Sequence, residues 1–304
     1  MNAKRTIVAV GMFLGVGTLA PVAVSANFPG EFKAAMELYT ARQFHTAQDA
    51  FGQLAGQAPS PRSKAVCQAY AARSLSGEGQ YEPALELARQ IESKPRSIDC
   101  QMEIMLAHGK TRELVEAFRD VDIAAWPDDC IHQGFYRRGT AYRLLGNAQA
   151  ASGDLEQAVA NSVTADQFQV IALDELGGVY QTLNDDAKAL DTYRRAQAFP
   201  RFRGFYAFIS ATMGIVNIRL RQGQPDEALA ELRQLDLEHA TGYWRFMMLQ
   251  AYGDIALAQG RADEAHRYFQ TAITVPRTPQ SVVDRLKKRM AVPPSTTTGR
   301  KGPP

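Results

Sequence analysis

The residues best able to do chemistry in this chain are three cysteines, five histidines and a few neighbouring carboxylates. Asp128, Asp129, Cys130 and His132 crowd into one short stretch, and all are metal-ligating types. A tetrahedral site needs further ligands at repeated spacing, and no second Cys or His stands close enough to provide them. His45, His108, His239 and His266 are isolated and fall at turns or on helix surfaces. In an oxidising compartment Cys67, Cys100 and Cys130 permit one disulfide with one thiol left over; otherwise they are small buried hydrophobes. Asp185 with Asp186, and Asp263 with Glu264, stand where helices begin, and there a carboxylate complements the helix dipole. The sequence contains no Gly-x-Ser-x-Gly elbow, phosphate loop, His-Glu-x-x-His helix or haem-attachment motif. The expectation is a protein that is not an enzyme and takes no cofactor and no metal.

What positions these side chains is helix. From Leu176 to Ala196, Gly177, Tyr180, Ala189, Tyr193 and Ala196 fall at three- and four-residue steps, the period of two amphipathic helices. Asn184-Asp185-Asp186 between them is a turn that ends one helix and caps the next. Gly177 and Ala189 are small because two antiparallel helices on a short loop approach closely only where facing side chains are small. Related alanines follow at Ala47, Ala84, Ala117, Ala158, Ala228 and Ala265, and small first-helix residues at Ala35, Ala72, Gly146 and Gly253, with Met105 and Val216 departing. Seven residues after each alanine stand Leu54, Ile91, Ala124, Ala165, Ala196, Leu235 and Ala272. Pro59, Pro95, Pro127, Pro200 and Pro276 mark where second helices stop.

Gly177, Ala189, Tyr193 and Ala196 resemble the tetratricopeptide repeat (TPR), here of the exported bacterial type. The resemblance covers about residues 28 to 276, most closely from 139 onward and least over 98 to 126. It implies an all-α, right-handed α-solenoid of about seven TPR-like hairpins over 27–276, bent near 126–128. A C-terminal helix over 277–291 covers the open end, with Val282, Val283, Leu286 and Met290 inward and Arg285, Lys287, Lys288 and Arg289 as its solvated face. Asp128 or Asp129 is expected to cap the helix after Pro127. The remaining tail, 292–304, is expected to be disordered.

Residues 1–26 read as a cleaved signal peptide: Lys4 and Arg5, an apolar run from Ile7 to Ala20, then Val24-Ser25-Ala26. Cleavage at about Ala26 would place the chain in the periplasm or outside the cell. The apolar run is short for a membrane span, so no integral membrane segment is expected in the mature chain. The whole chain carries 34 basic and 32 acidic residues, and without Lys4 and Arg5 it is formally neutral. Nucleic-acid binding draws on clustered positive charge, so no nucleic-acid partner is expected.

The resemblance assigns the inner groove of such an array to first-helix residues. Here these are Arg143, Asn147, Asp174, Gln181, Asn217, Arg221, Gln250 and Asp254, beside the aromatics Tyr136, Tyr206 and Trp244. The aromatics belong to three similar motifs ahead of first helices: Gly134-Phe135-Tyr136, Gly204-Phe205-Tyr206 and Gly242-Tyr243-Trp244. A mixed polar and aromatic face suits other proteins or peptide segments, which makes the chain an interaction scaffold or adaptor of the cell envelope. A second reading is a small molecule or glycan in the aromatic-lined part. One TPR subclass grips a terminal carboxylate with Arg or Lys and Asn on successive first helices. Arg143 and Asn147 take its first two positions, but Glu175 stands where Asn is required and would repel the ligand. The sequence does not specify the oligomeric state.

Overall fold

The computed structural model describes residues 27–162, 167–276 and 278–291. The expected leader, the expected tail and Ala165 lie outside the described residues. Among the described residues there are fifteen α-helices, two single 3-10 turns and no strand. The chain is an all-α solenoid. Its hairpins are α1 (Phe28–Thr40) with α2 (Phe44–Gly56), α3 (Pro61–Gly77) with α4 (Tyr81–Arg89), α5 (Lys94–Ala107) with α6 (Thr111–Phe118), and α7 (Ile131–Leu144) with α8 (Ala148–Ala160). They continue with α9 (Gln167–Thr182) and α10 (Asp186–Gln197), α11 (Tyr206–Arg221) and α12 (Pro225–Leu232), and α13 (Gly242–Ala258) and α14 (Ala262–Ile273). A single helix, α15 (Gln280–Ala291), ends the array.

Every hairpin turns in the same way. Two residues beyond each first helix the backbone is left-handed: Arg42, Gly79, Gly109, Gly146, Asn184, Gly223 and Gly260 have φ between 59° and 82°. The next residue then returns its N–H to a carbonyl of the last helical turn, as in Lys110 to Met105, Asn147 to Tyr142 and Arg261 to Ala256. Glycine serves at most of these positions because a Cβ there is strained.

The turns set a register that corrects the sequence-based positions in two repeats. Each left-handed residue stands five before a fully buried side chain: Ala47, Ala84, Leu114, Ala151, Ala189, Ala228 and Ala265. Repeat three therefore uses Leu114, and Ala117 is exposed. Repeat four uses Ala151, with Ala158 one heptad later. Gly146 is small because it turns the chain; the first-helix small residue of that repeat is Gly139, whose added Cβ would meet Leu155 at 2.9 Å. The same correction moves repeat three from Met105 to Met102, which is completely buried.

The chain divides into two compact units. Of the described residues, one comprises 27–87 and 91–93, the other 88–90 and those from 94 to 291. The first is centred on Phe51, Leu54, Ala47 and Ala71, with Phe51 stacked on Tyr70 at 5.0 Å. In the second, Tyr193 of α10 fills the space between Gly177 of α9 and Gly214 of α11, where an added Cβ would lie 2.4 Å from its ring in either case. Phe269 of α14 sits against Gly253 of α13 in the same way, at 2.3 Å.

Two adjacent arginines tie the third and fourth hairpins. Arg137 of α7 donates to Asp99 (2.6 Å) and Glu103 (2.7 Å) of α5. Arg138 forms a two-pronged pair with Asp154 of α8 (2.7 and 2.8 Å) and also donates to the carbonyls of Arg119 and Val121. Neither Asp128 nor Asp129 caps α7. Cys130 holds the N-cap position without a side-chain capping bond, and Asp129 is paired with Arg96 of α5. Pro95 likewise opens α5 instead of stopping α4, which ends at Arg89.

Helix α15 buries Leu286 completely against the last hairpin, with Val282 and Met290 beside it. Arg285, Lys287 and Lys288 are exposed. Arg289 is not part of that solvated face: it pairs with Asp254 of α13 and lies 4.7 Å from the Phe269 ring centroid.

Candidate functional site

Helices α7, α9 and α11 are the first helices of successive hairpins, and α9 packs against both of the others. Their neighbouring faces bring together Tyr136 and Arg143, then Asp174 and Glu175, then Tyr206 and Ser210. Arg143 pairs with Glu175 across α7 and α9. Asp174 is half-buried, and burial pushes its carboxyl up to about 7, with Glu175 adding to the rise. A hydrogen bond from Ser210 and the charge of Arg143 restrain it. Tyr136 packs edge-on against Phe168 with ring centroids 5.0 Å apart. Its hydroxyl is raised to about 12, by burial first and then by Glu175 and Tyr206. Tyr206 leans on Phe205 at 4.4 Å yet leaves 44% of its surface exposed. Asn217 of α11 is exposed.

Several expected ligand-binding residues are committed to the fold. Asn147 lies beyond α7 and caps α8 by accepting from the Ala150 N–H at 3.1 Å. Gln181 accepts from the Tyr193 hydroxyl at 3.1 Å and donates to the Gly214 carbonyl at 3.4 Å, so it bridges α10 and α11 from α9. Arg221 donates to Asp186 at 2.6 Å. Asp254 is held by Arg289, and Gln250 is half-buried on α13. With Arg143 engaged by Glu175 and Asn147 serving as a cap, the arrangement for gripping a terminal carboxylate is not assembled.

The motif Gly134-Phe135-Tyr136 lies inside α7 instead of ahead of it, and an added Cβ on Gly134 would meet Trp126 at 2.3 Å. Trp244 faces a separate cavity beside the loops before α11 and α13. Sequence spacing did not single out Ser210, which comes from a neighbouring hairpin, and it treated Glu175 only as an obstacle.

The remaining chemistry-bearing residues are dispersed. Cys67, Cys100 and Cys130 are buried and none is disulfide-bonded, and burial pushes the thiols of Cys67 and Cys130 up to about 11. His132 packs edge-on against Phe168 at 4.7 Å, and the Cys130 thiol donates to the Pro127 carbonyl. Among the described residues no group of three His, Cys, Asp or Glu side chains could hold a metal ion. No helix among them is long and apolar enough to cross a membrane.

No protein-family model matches the chain, and no curated protein matches it. Solved structures do. A tetratricopeptide repeat protein from Parabacteroides merdae is 13% identical, matches over 88% of this chain and 99% of its own, and gives a TM-score of 0.51. PilF of Pseudomonas aeruginosa is 12% identical over 75% of this chain and 99% of its own, with a TM-score of 0.53. The chain has the tetratricopeptide-repeat fold. In TPR terms, Gly177 and Ala189 are the small pair within a hairpin, and Tyr193 is the large residue that also reaches the next one.

Proposed function

We propose that this TPR chain is an interaction scaffold of the cell envelope that takes a segment of another protein on the face of α7, α9 and α11. The observation carrying this reading is that three successive first helices place Tyr136, Asp174 and a partly exposed Tyr206 side by side, with Asn217 open to solvent on the same helix as Tyr206. A broad ring left exposed beside a desolvated carboxylate supplies contact area together with a polar group that fixes register. The test is a photo-crosslinking residue placed at Tyr206, at Asn217 or at Lys188 on the exposed side of α10. Discrete adducts from the first two and none from Lys188 support the reading. Equal labelling at all three, or none at any, removes the face.

The envelope location rests on Lys4, Arg5, the apolar run and Val24-Ser25-Ala26. Mass spectrometry of the protein made in its own cell is expected to give a first residue of Asn27. An intact Met1 end in a cytosolic fraction would refute it.

A further inference from the structure

Two of the Gly-aromatic motifs meet at a cavity whose walls are not those of the α7–α9–α11 face. It has a volume of about 530 Å³ and is bounded by Gly204, ahead of α11, and Trp244, in the first turn of α13. That volume falls in the range of about 300–1,000 Å³ usual for small-molecule sites. Its apolar wall is Ile209, Leu235, Trp244 and Met248. Leu235 and Met248 are buried and belong to the packed hairpins, so this wall is preformed.

The polar rim carries three charged or titratable groups, Arg203, Asp236 and His239. Asp236 is already satisfied within its own loop. It accepts from the His239 backbone N–H at 3.1 Å and lies 2.7 Å from the His239 ring nitrogen. Arg203 borders the cavity, is exposed and makes no ion pair among the described residues. Thr241 also borders it, and its side chain makes no capping bond to α13. The rim therefore offers donors and one guanidinium that no carboxylate of the described residues engages, the Asp236 carboxylate being held by His239, above an aromatic and aliphatic wall. That combination is complementary to an apolar molecule bearing an anionic group.

We propose that this cavity binds a small amphipathic carboxylate. Its apolar body lies along Trp244 and Met248, and its carboxylate accepts from the Arg203 guanidinium and the Thr241 hydroxyl. The site stands apart from the protein-binding face, so the crosslinking result at Tyr206 and Asn217 does not bear on it.

The test uses the full chain and three probes that share one apolar body: 4-phenylbutyrate, 4-phenylbutan-1-ol and 4-phenylbutylamine, titrated by calorimetry. The acid is expected to bind saturably and at least about tenfold more tightly than the amine. Arg203→Gln should weaken the acid by about 10- to 100-fold and leave the alcohol unchanged. Arg203 is exposed, so unchanged thermal unfolding of this variant will show that the fold is intact. Binding of the acid should also change the indole fluorescence, and Trp244→Phe should abolish that change while Trp126 remains. Equal affinity for acid, alcohol and amine, wild-type affinity in Arg203→Gln, or no saturable binding of the acid up to about 10 mM would each overturn the assignment.

Discussion

Tyr193 shows how single residues hold this fold. Its ring occupies space that Gly177 and Gly214 leave empty on two different helices, and its hydroxyl is anchored by Gln181. An added methyl at Gly177 falls 2.4 Å from a ring that is hemmed in from the far side, so the ring cannot retreat without disturbing α11. Gly177→Ala is expected to cost about 1–3 kcal/mol in urea unfolding, and clearly less in a Tyr193→Leu background, because the two residues share the clash. Asp174 gives a second prediction. Its folded carboxyl sits near 7 through burial, above the ordinary value of an unfolded aspartate. Between those two values the folded state holds the extra proton, so this group lowers stability progressively as pH rises towards 7 and by a constant amount above it. Asp174→Asn should therefore raise the melting temperature at pH 8, corresponding to about 1–4 kcal/mol, and change it little at pH 4. An equal shift at both pH values would assign the effect to packing.

At the scale of elements, the hairpins were readable because paired small and large residues recur, while their exact register was not always readable from alanines. Gly146 and Ala158 satisfied the twelve-residue spacing, yet Gly146 is small in order to turn backbone and Ala158 belongs one heptad after the crossing. The left-handed turn residues carry the register more faithfully, since their role is fixed by φ and not by the volume of a neighbour. Repeat three shows why: Met102 and Leu114 stand where its small pair would be, so an alanine template slid to the exposed Ala117. The face of α7, α9 and α11 was legible as polar and aromatic first-helix positions. What could not be read was which of those residues the fold had already claimed, because Asn147, Gln181 and Asp254 find their partners in caps or on other helices. The arginines of α7 extend this point. Arg138 is mostly buried, and its guanidinium serves both the Asp154 carboxylate and carbonyls that follow α6. Arg138→Ala should cost about 3–5 kcal/mol by leaving Asp154 buried and unpaired. Arg138→Ala with Asp154→Leu should recover part of that loss, as read from urea midpoints.

At the scale of the molecule, a solenoid's stability is a chain of neighbour contacts instead of one shared core. Among the described residues of the second unit, the helices in closest contact are near one another in order, and α15 meets α14 at the end of the array. Leu286 is buried completely in that last contact, and Phe269 lies beneath it against Gly253. Removing either side chain should therefore loosen the end of the array without reaching the proposed binding face. Leu286→Ala removes a completely buried leucine and is expected to cost about 2–5 kcal/mol locally. Amide hydrogen exchange should then quicken in α13, α14 and α15 while α7, α8 and α9 keep their wild-type protection. If exchange quickened equally throughout the second unit, its helices would unfold as one cooperative block, and the neighbour-by-neighbour account would fail. If it quickened nowhere, the buried contact made by Leu286 would hold no part of the array in place.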